Sequence, residues 1–188
     1  LEGIQEHPEL IAFVGYHSAA GTPGVLSHTF AGSQLTGVTL NGRLMSEGYL
    51  NALLGAEYGA RLAVVSGDDV TCDDAAGYAP DSKRVAVKTA VDRYTARCLN
   101  PETTSGLLRK AAAASVASCT VPTLPDGPFE CVVTFAASNH AKAAALVPSV
   151  QAAGERSVAF TFDTIAELYQ CFHVVIVMAS VATEPVYG

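Results

Sequence analysis

The stretch from Ser46 to Ser66 constrains the fold most, because a helix-length segment runs almost directly into an apolar strand. Ser46 is a residue type that caps helices, and Glu47 puts a carboxylate in the first turn, where the positive end of the dipole lies. Leu50, Leu53, Leu54 and Tyr58 recur at helical spacing and define one buried face. Gly59 ends the helix. Arg61 to Ser66 then has the length and apolarity of a strand, closed by Gly67-Asp68-Asp69. Upstream, residues 9–16 form another short apolar run that exits into a Gly-rich loop, as a strand buried on both faces does. With residues 37–41 read as the strand before the helix, and Arg61 to Ser66 as the strand after it, the order strand, helix, strand is the βαβ signature. The expected class is α/β: a mixed or mostly parallel sheet flanked by helices, with a second, smaller α/β lobe.

The remaining chain extends the pattern. Residues 37–41 alternate as a strand does, and Asn41-Gly42 is a strong hairpin-turn dipeptide. A short helix near 70–78 and a strand near 83–90 follow. Asn100-Pro101 opens a helix to about Ser118, with Asn as the cap and Pro in the first helical position. Residues 120–128 carry three prolines and one glycine. That stretch is the expected boundary between a lobe over 1–119 and a lobe over 120–188. The second lobe reads as strand 129–135, helix 138–147, strand 157–163 and helix 164–182. Val174 to Ala179 with its flanks reads as a buried helix, far short of the roughly 20 apolar residues a bilayer requires.

Charge removes some functions. The net charge is −7, from 11 Lys and Arg against 18 Asp and Glu. Basic residues are scattered, so no stripe offers the phosphate contacts that nucleic acids need. Five cysteines without a CxxC pair suit reduced, mostly buried thiols in a cytoplasmic protein. Neither a nucleic acid nor a membrane is an expected partner.

The chemistry concentrates in Gly15-Tyr16-His17-Ser18-Ala19-Ala20-Gly21-Thr22-Pro23-Gly24-Val25-Leu26-Ser27-His28. Two imidazoles flank a Gly/Pro loop at a strand end, where open α/β sheets build their sites. Neutral imidazole ligates metals and titrates near neutrality. Each residue also has a plainer reading. His17 and His28 could be satisfied by backbone groups, and Glu47 could simply complement the helix dipole.

Gly-Tyr-His, Thr-Pro-Gly-Val-Leu-Ser-His and Asn-Gly-Arg-Leu-Met-Ser-Glu together resemble the central motif of the DppA-type D-aminopeptidases. Val-Val-Ser-Gly-Asp-Asp, Ala-Val-Lys and Arg-Tyr-Thr-Ala-Arg-Cys-Leu-Asn-Pro follow in the same order. The resemblance is clear over residues 2–110 and collinear to the end. It implies a zinc metallopeptidase with two zinc ions, His17 and Glu47 as ligands of one of them, and His28 as the catalytic histidine. It also implies an Asp-x-Glu strand and a further histidine upstream of Leu1, so the remaining ligands are expected from an N-terminal segment or a second chain. The implied activity is release of N-terminal D-amino acids from short peptides or amides, in a homo-oligomer. An amidase or amide-forming enzyme of specialised metabolism on this scaffold, or a non-catalytic assembly subunit, are the alternatives.

Other polar residues carry structural expectations. Asp68 and Asp69 suit a helix cap better than a contact behind metal ligands. His140 is expected to be structural or solvated, His173 a core residue and His7 a surface residue. Cys98 is expected as a buried small hydrophobe, and Asp73-Asp74 as a solvated helix face.

Overall fold

The computed structural model describes residues 1–182. In chain order the strands and helices are β1 (Leu10–Phe13), β2 (Leu35–Leu40), β3 (Arg43–Leu44), α1 (Glu47–Glu57), β4 (Arg61–Asp68), α2 (Asp69–Tyr78), β5 (Lys83–Asp92), β6 (Thr95–Cys98), α3 (Pro101–Ser115), β7 (Phe129–Phe135), α4 (Ser138–Ala144), β8 (Gln151–Ala152), β9 (Ser157–Phe162) and α5 (Ile165–Ser180). A single 3-10 turn, Ile4–Glu6, precedes β1. The chain divides into two compact units: Leu1–Ser27 with Ser46–Pro125, and His28–Met45 with the residues from Asp126 onward. This differs from contiguous lobes over 1–119 and 120–188, and from a βαβ unit begun by residues 37–41, because β2 and β3 hydrogen-bond into the sheet of the second unit and the strand before α1 that runs parallel to β4 is β1.

The first unit holds a four-stranded sheet in the order β1-β4-β5-β6. β1, β4 and β5 run parallel and β6 returns antiparallel, so the sheet is mixed. β4 is its centre, buried from Leu62 through Asp68. The capping expected at Ser46 is realised: its hydroxyl accepts from the Tyr49 amide, 3.1 Å away. Leu50, Leu53 and Leu54 of α1 are buried as their spacing requires. Gly59, at φ 76°, supplies the left-handed residue that ends the helix. On α3, Leu108 and Ala111 pack against Ala63, Val64, Val85 and Cys119.

Two expectations fail in this unit. β1 is shorter than 9–16 and not buried on both faces: Ala12 within it is exposed, and Val14 just beyond it is 66% exposed. Cys98 is exposed, because β6 is the outer strand of the sheet. All five cysteines are free thiols, four of them buried.

The second unit is a five-stranded antiparallel sheet, β3-β2-β7-β9-β8. The Asn41-Gly42 turn joins β2 to β3 with both residues at positive φ, 48° and 77°, the conformation a tight hairpin demands. β7 alternates as a one-sided strand should, with Phe129, Cys131, Val133 and Phe135 buried. Ile165, Leu168, Phe172, Val175 and Ala179 give α5 its buried stripe. The other face of α5 is open: His173 is exposed, as are Val174 and Val177. The helix is therefore buried on one side only, and His173 is not a core residue. His140 is buried and structural, its Nδ1 donating to the Ala179 carbonyl at 2.9 Å. No helix among the described residues is long and apolar enough to cross a membrane.

Candidate metal centre

The parallel sheet builds this site in three steps. After β1 the chain stays on β4: the Gly15 amide donates to Ser66 Oγ at 3.1 Å and the Tyr16 amide to the Ser66 carbonyl at 2.8 Å. Gly67 permits this approach, since a Cβ there would stand 2.5 Å from the Tyr16 carbonyl oxygen. Tyr16 is then fixed from two sides. Its ring stacks on Phe13 with centroids 4.5 Å apart, and its hydroxyl accepts from Asn51 Nδ2 on α1 at 3.1 Å. His17, the next residue, is thus delivered beside the N-terminal turn of α1.

Glu47 reaches the same point from α1. The Ser46 hydroxyl that caps this helix also donates to Asp74 of α2 at 2.6 Å, which ties the start of α1 to α2. Asp74 is therefore a partner of the cap, and Asp73 alone has the solvated position expected of the pair. Gly48 allows close packing there, because a Cβ at this position would run into the Tyr78 hydroxyl.

The outcome is a His17–Glu47 pair with Nε2 3.4 Å from Oε1, both side chains 21% exposed. His17 Nδ1 lies 3.2 Å from the Ser18 carbonyl. A carbonyl only accepts, so Nδ1 carries the proton and Nε2 is the nitrogen turned toward Glu47. The hydrogen bond to Glu47 raises the His17 pKa above its ordinary value of 6.5, with further support from the Ser18 carbonyl and the charges of Glu47 and Asp68, against the opposing effect of burial.

These two residues fit zinc by donor type and by spacing. Ligand atoms about 2.0–2.2 Å from a tetrahedral ion stand about 3.3–3.6 Å from each other. An imidazole nitrogen at 3.4 Å from a carboxylate oxygen meets that requirement with no rearrangement of the backbone.

The loop from Ser18 to Ser27 is held by groups the sequence did not single out as anchors. Asp68, 0% exposed at the end of β4, caps α2 by accepting from the Thr71 amide at 2.7 Å, and also accepts from the Val25 amide at 2.6 Å. Asp69 accepts from the Ala90 amide of β5 at 2.8 Å. The Arg93 carbonyl, at the tip of the β5–β6 hairpin, receives the Leu26 amide at 2.8 Å. The Asp-Asp pair after a strand was the available signal, but a cap explains it equally well in sequence. His28 opens the second unit, half-buried, with Gly32 behind it; a Cβ at Gly32 would stand 2.9 Å from His28 Cβ.

Comparison with known proteins gives the family. Residues 1–174 match the peptidase family M55 model, described as D-aminopeptidase. The chain is 31% identical over 186 residues to a D-aminopeptidase of Bacillus subtilis (strain 168), covering 95% of this chain and 66% of that protein. It also superimposes, with a TM-score of 0.84 and 29% identity, on the structure described as Zn-dependent D-aminopeptidase DppA from Bacillus subtilis, a self-compartmentalizing protease. That match covers 92% of this chain and 64% of the DppA chain. The chain thus spans about two thirds of the length of the relatives it matches. It belongs to the D-aminopeptidase family, peptidase family M55.

Proposed function

We propose that the protein is a zinc-dependent aminopeptidase that releases N-terminal D-amino acids from short peptides or amides. The observation that carries this reading is the His17–Glu47 pair, with Nε2 and Oε1 3.4 Å apart, in a chain of the D-aminopeptidase family. His17 Nε2 and the Glu47 carboxylate hold the zinc. Bound there, zinc supplies a Lewis acid for the scissile carbonyl and acidifies a water at neutral pH.

The chain's own residues have separate tasks. The Ser18 carbonyl keeps the proton on His17 Nδ1, so the Nε2 lone pair stays available. Glu47, as carboxylate, lowers the positive charge at the centre. His28 moves the proton between water and the leaving amine, a role supported by its place in the Pro-Gly-Val-Leu-Ser-His motif. The free amine of the substrate is the recognition handle, and the preference for D-configuration follows from the family. The protein works as a homo-oligomer, a reading supported by the self-compartmentalizing character of the DppA relative; a cytoplasmic location suits its five free thiols.

The test is hydrolysis of D-alanyl against L-alanyl p-nitroanilide by the full-length protein, with zinc content measured alongside. D-selective turnover that chelation abolishes and zinc restores is the expected result. Zinc-free protein with undiminished turnover would refute the reading.

A further inference from the structure

We propose that Asp68 is a positioning residue for the metal centre: its carboxylate holds the Ser18–Val25 loop in the course that aims the His17 imidazole at Glu47. The consequence for zinc rests on the function proposed above, whereas the grip on the loop stands on the geometry alone.

A buried carboxylate is more than a helix cap needs. Elsewhere in this chain the same task falls to neutral groups, Ser46 for α1, Asn100 for α3 and Thr164 for α5. A charge with no solvent exposure is costly unless every lone pair is engaged. At Asp68 the two oxygens are divided between two structures. Oδ1 accepts from the Thr71 amide at 2.7 Å and from the Thr71 hydroxyl, both on α2. Oδ2 accepts from the Val25 amide, at 2.6 Å, on the loop side. Charge-assisted bonds of this length are the strong ones. Lys88, opposite Asp68 in the β4–β5 register, adds a cation beside the carboxylate.

The grip passes to His17 through a tightly packed knot. Gly24 precedes Val25, and a Cβ on it would run into the Ser18 hydroxyl and stand 3.0 Å from Asp68 Oδ2. The Thr22 hydroxyl lies 2.7 Å from both Ser18 Oγ and the Ala19 carbonyl, which closes the loop on itself. Ser18, buried at this knot, offers the carbonyl that fixes the His17 ring. If the Val25 amide is released from Asp68, the knot and the carbonyl move together, and the ring loses its aim.

The experiment compares three variants of the same protein: Asp68→Asn, Gly24→Ala and Thr71→Val. Val25 amide hydrogen exchange and the His17 ring resonances are read by NMR on metal-free protein, and zinc affinity by competition with a chromophoric chelator. Asn has one acceptor oxygen and cannot serve both sides. Asp68→Asn is expected to speed Val25 exchange, shift the His17 resonances and weaken zinc about 10–100-fold, the size of loss seen when a group behind a ligand is removed. Gly24→Ala is expected to do the same through crowding. Thr71→Val removes only a donor on α2, so it lowers the melting temperature and leaves Val25 exchange, the His17 resonances and zinc affinity as in the parent.

Wild-type Val25 protection in Asp68→Asn, or a zinc loss in Thr71→Val equal to that in Asp68→Asn, would overturn the proposal and leave Asp68 as a cap. If the parent itself takes up no zinc, the zinc reading fails, and Val25 exchange with the His17 resonances still decides the grip. If Asp68→Asn does not fold, Gly24→Ala against Thr71→Val decides by the same readouts.

Discussion

The His17 imidazole faces the Glu47 carboxylate across 3.4 Å, one residue carried by the loop after a parallel strand and the other by the first turn of a helix. Both positions are set by bonds to neighbours. Ser66 and Asn51 hold the approach to His17, and Ser46 with Asp74 holds the start of α1. Neither side chain needs to move far to share an ion, so the pair is preorganised.

His17→Ala and Glu47→Gln are each expected to weaken zinc binding by more than the roughly 10–100-fold that loss of a supporting group costs. Fold should survive, because both side chains are partly exposed and the surrounding core is unchanged. Chelator competition and circular dichroism on the same samples check this. Parent-like zinc affinity in both variants would remove the pair from the metal centre.

Zinc must displace a proton from His17. The hydrogen bond to Glu47 raises the His17 pKa above 6.5, so in the metal-free pair the imidazolium persists to higher pH than in a free imidazole. Because the folded value lies above the unfolded one, the pair's own stabilisation is full below about pH 6.5 and is lost as pH rises through the raised value. Metal affinity runs the opposite way and increases with pH across the same window. Calorimetry at pH 6.5 in two buffers of different ionisation enthalpy should report proton release on zinc binding, and none with His17→Ala.

Much of this architecture was legible because its signals are local. Ser46, Gly59 and Asn41-Gly42 act through their own backbone, so the α1 boundaries and the β2–β3 turn could be read from single residues. The division into units was not legible in the same way. It depends on β2 pairing with β7 across a long sequence separation, and no residue in β2 announces that partner. His173 illustrates a second limit. An apolar helix looks uniformly buried in sequence, but α5 packs only the stripe through Leu168, Phe172 and Val175. Asp68 shows a third: its cap for α2 is a local feature, whereas its bond to Val25 exists only because the loop returns to the end of β4.

Asp68 also predicts acid sensitivity. Burial pushes its carboxyl up, but hydrogen bonds from Thr71 and Val25 and the charge of Lys88 outweigh that effect, and the pKa lies below the ordinary 3.8. A depressed folded value stabilises the native state above about pH 3.8, and that contribution is lost as pH falls through the folded pKa. Asp68→Asn should therefore be less stable than the parent at neutral pH and show a smaller loss between about pH 4 and pH 2. Urea titrations across that range test it; parallel curves for the two proteins would contradict it.

Gly48→Ala should disturb the start of α1 without altering either member of the His17–Glu47 pair. The added methyl would run into the Tyr78 hydroxyl, in a contact where Gly48 and Tyr78 are both buried. Overpacking of this kind costs about 1–3 kcal/mol. Alanine's better helix propensity offsets roughly 1 kcal/mol at most. The expected net result is a lower melting temperature, with Tyr78→Phe in the same protein relieving part of the loss by removing the oxygen that clashes.

His28→Ala separates proton transfer from metal binding. A general acid–base group contributes about 10²–10⁴-fold to turnover, while a ligand contributes to occupancy. If His28 moves the proton, the variant retains the parent's zinc content and loses about 10²-fold or more in kcat with little change in KM. Zinc lost together with activity would instead make His28 a ligand and assign proton transfer elsewhere.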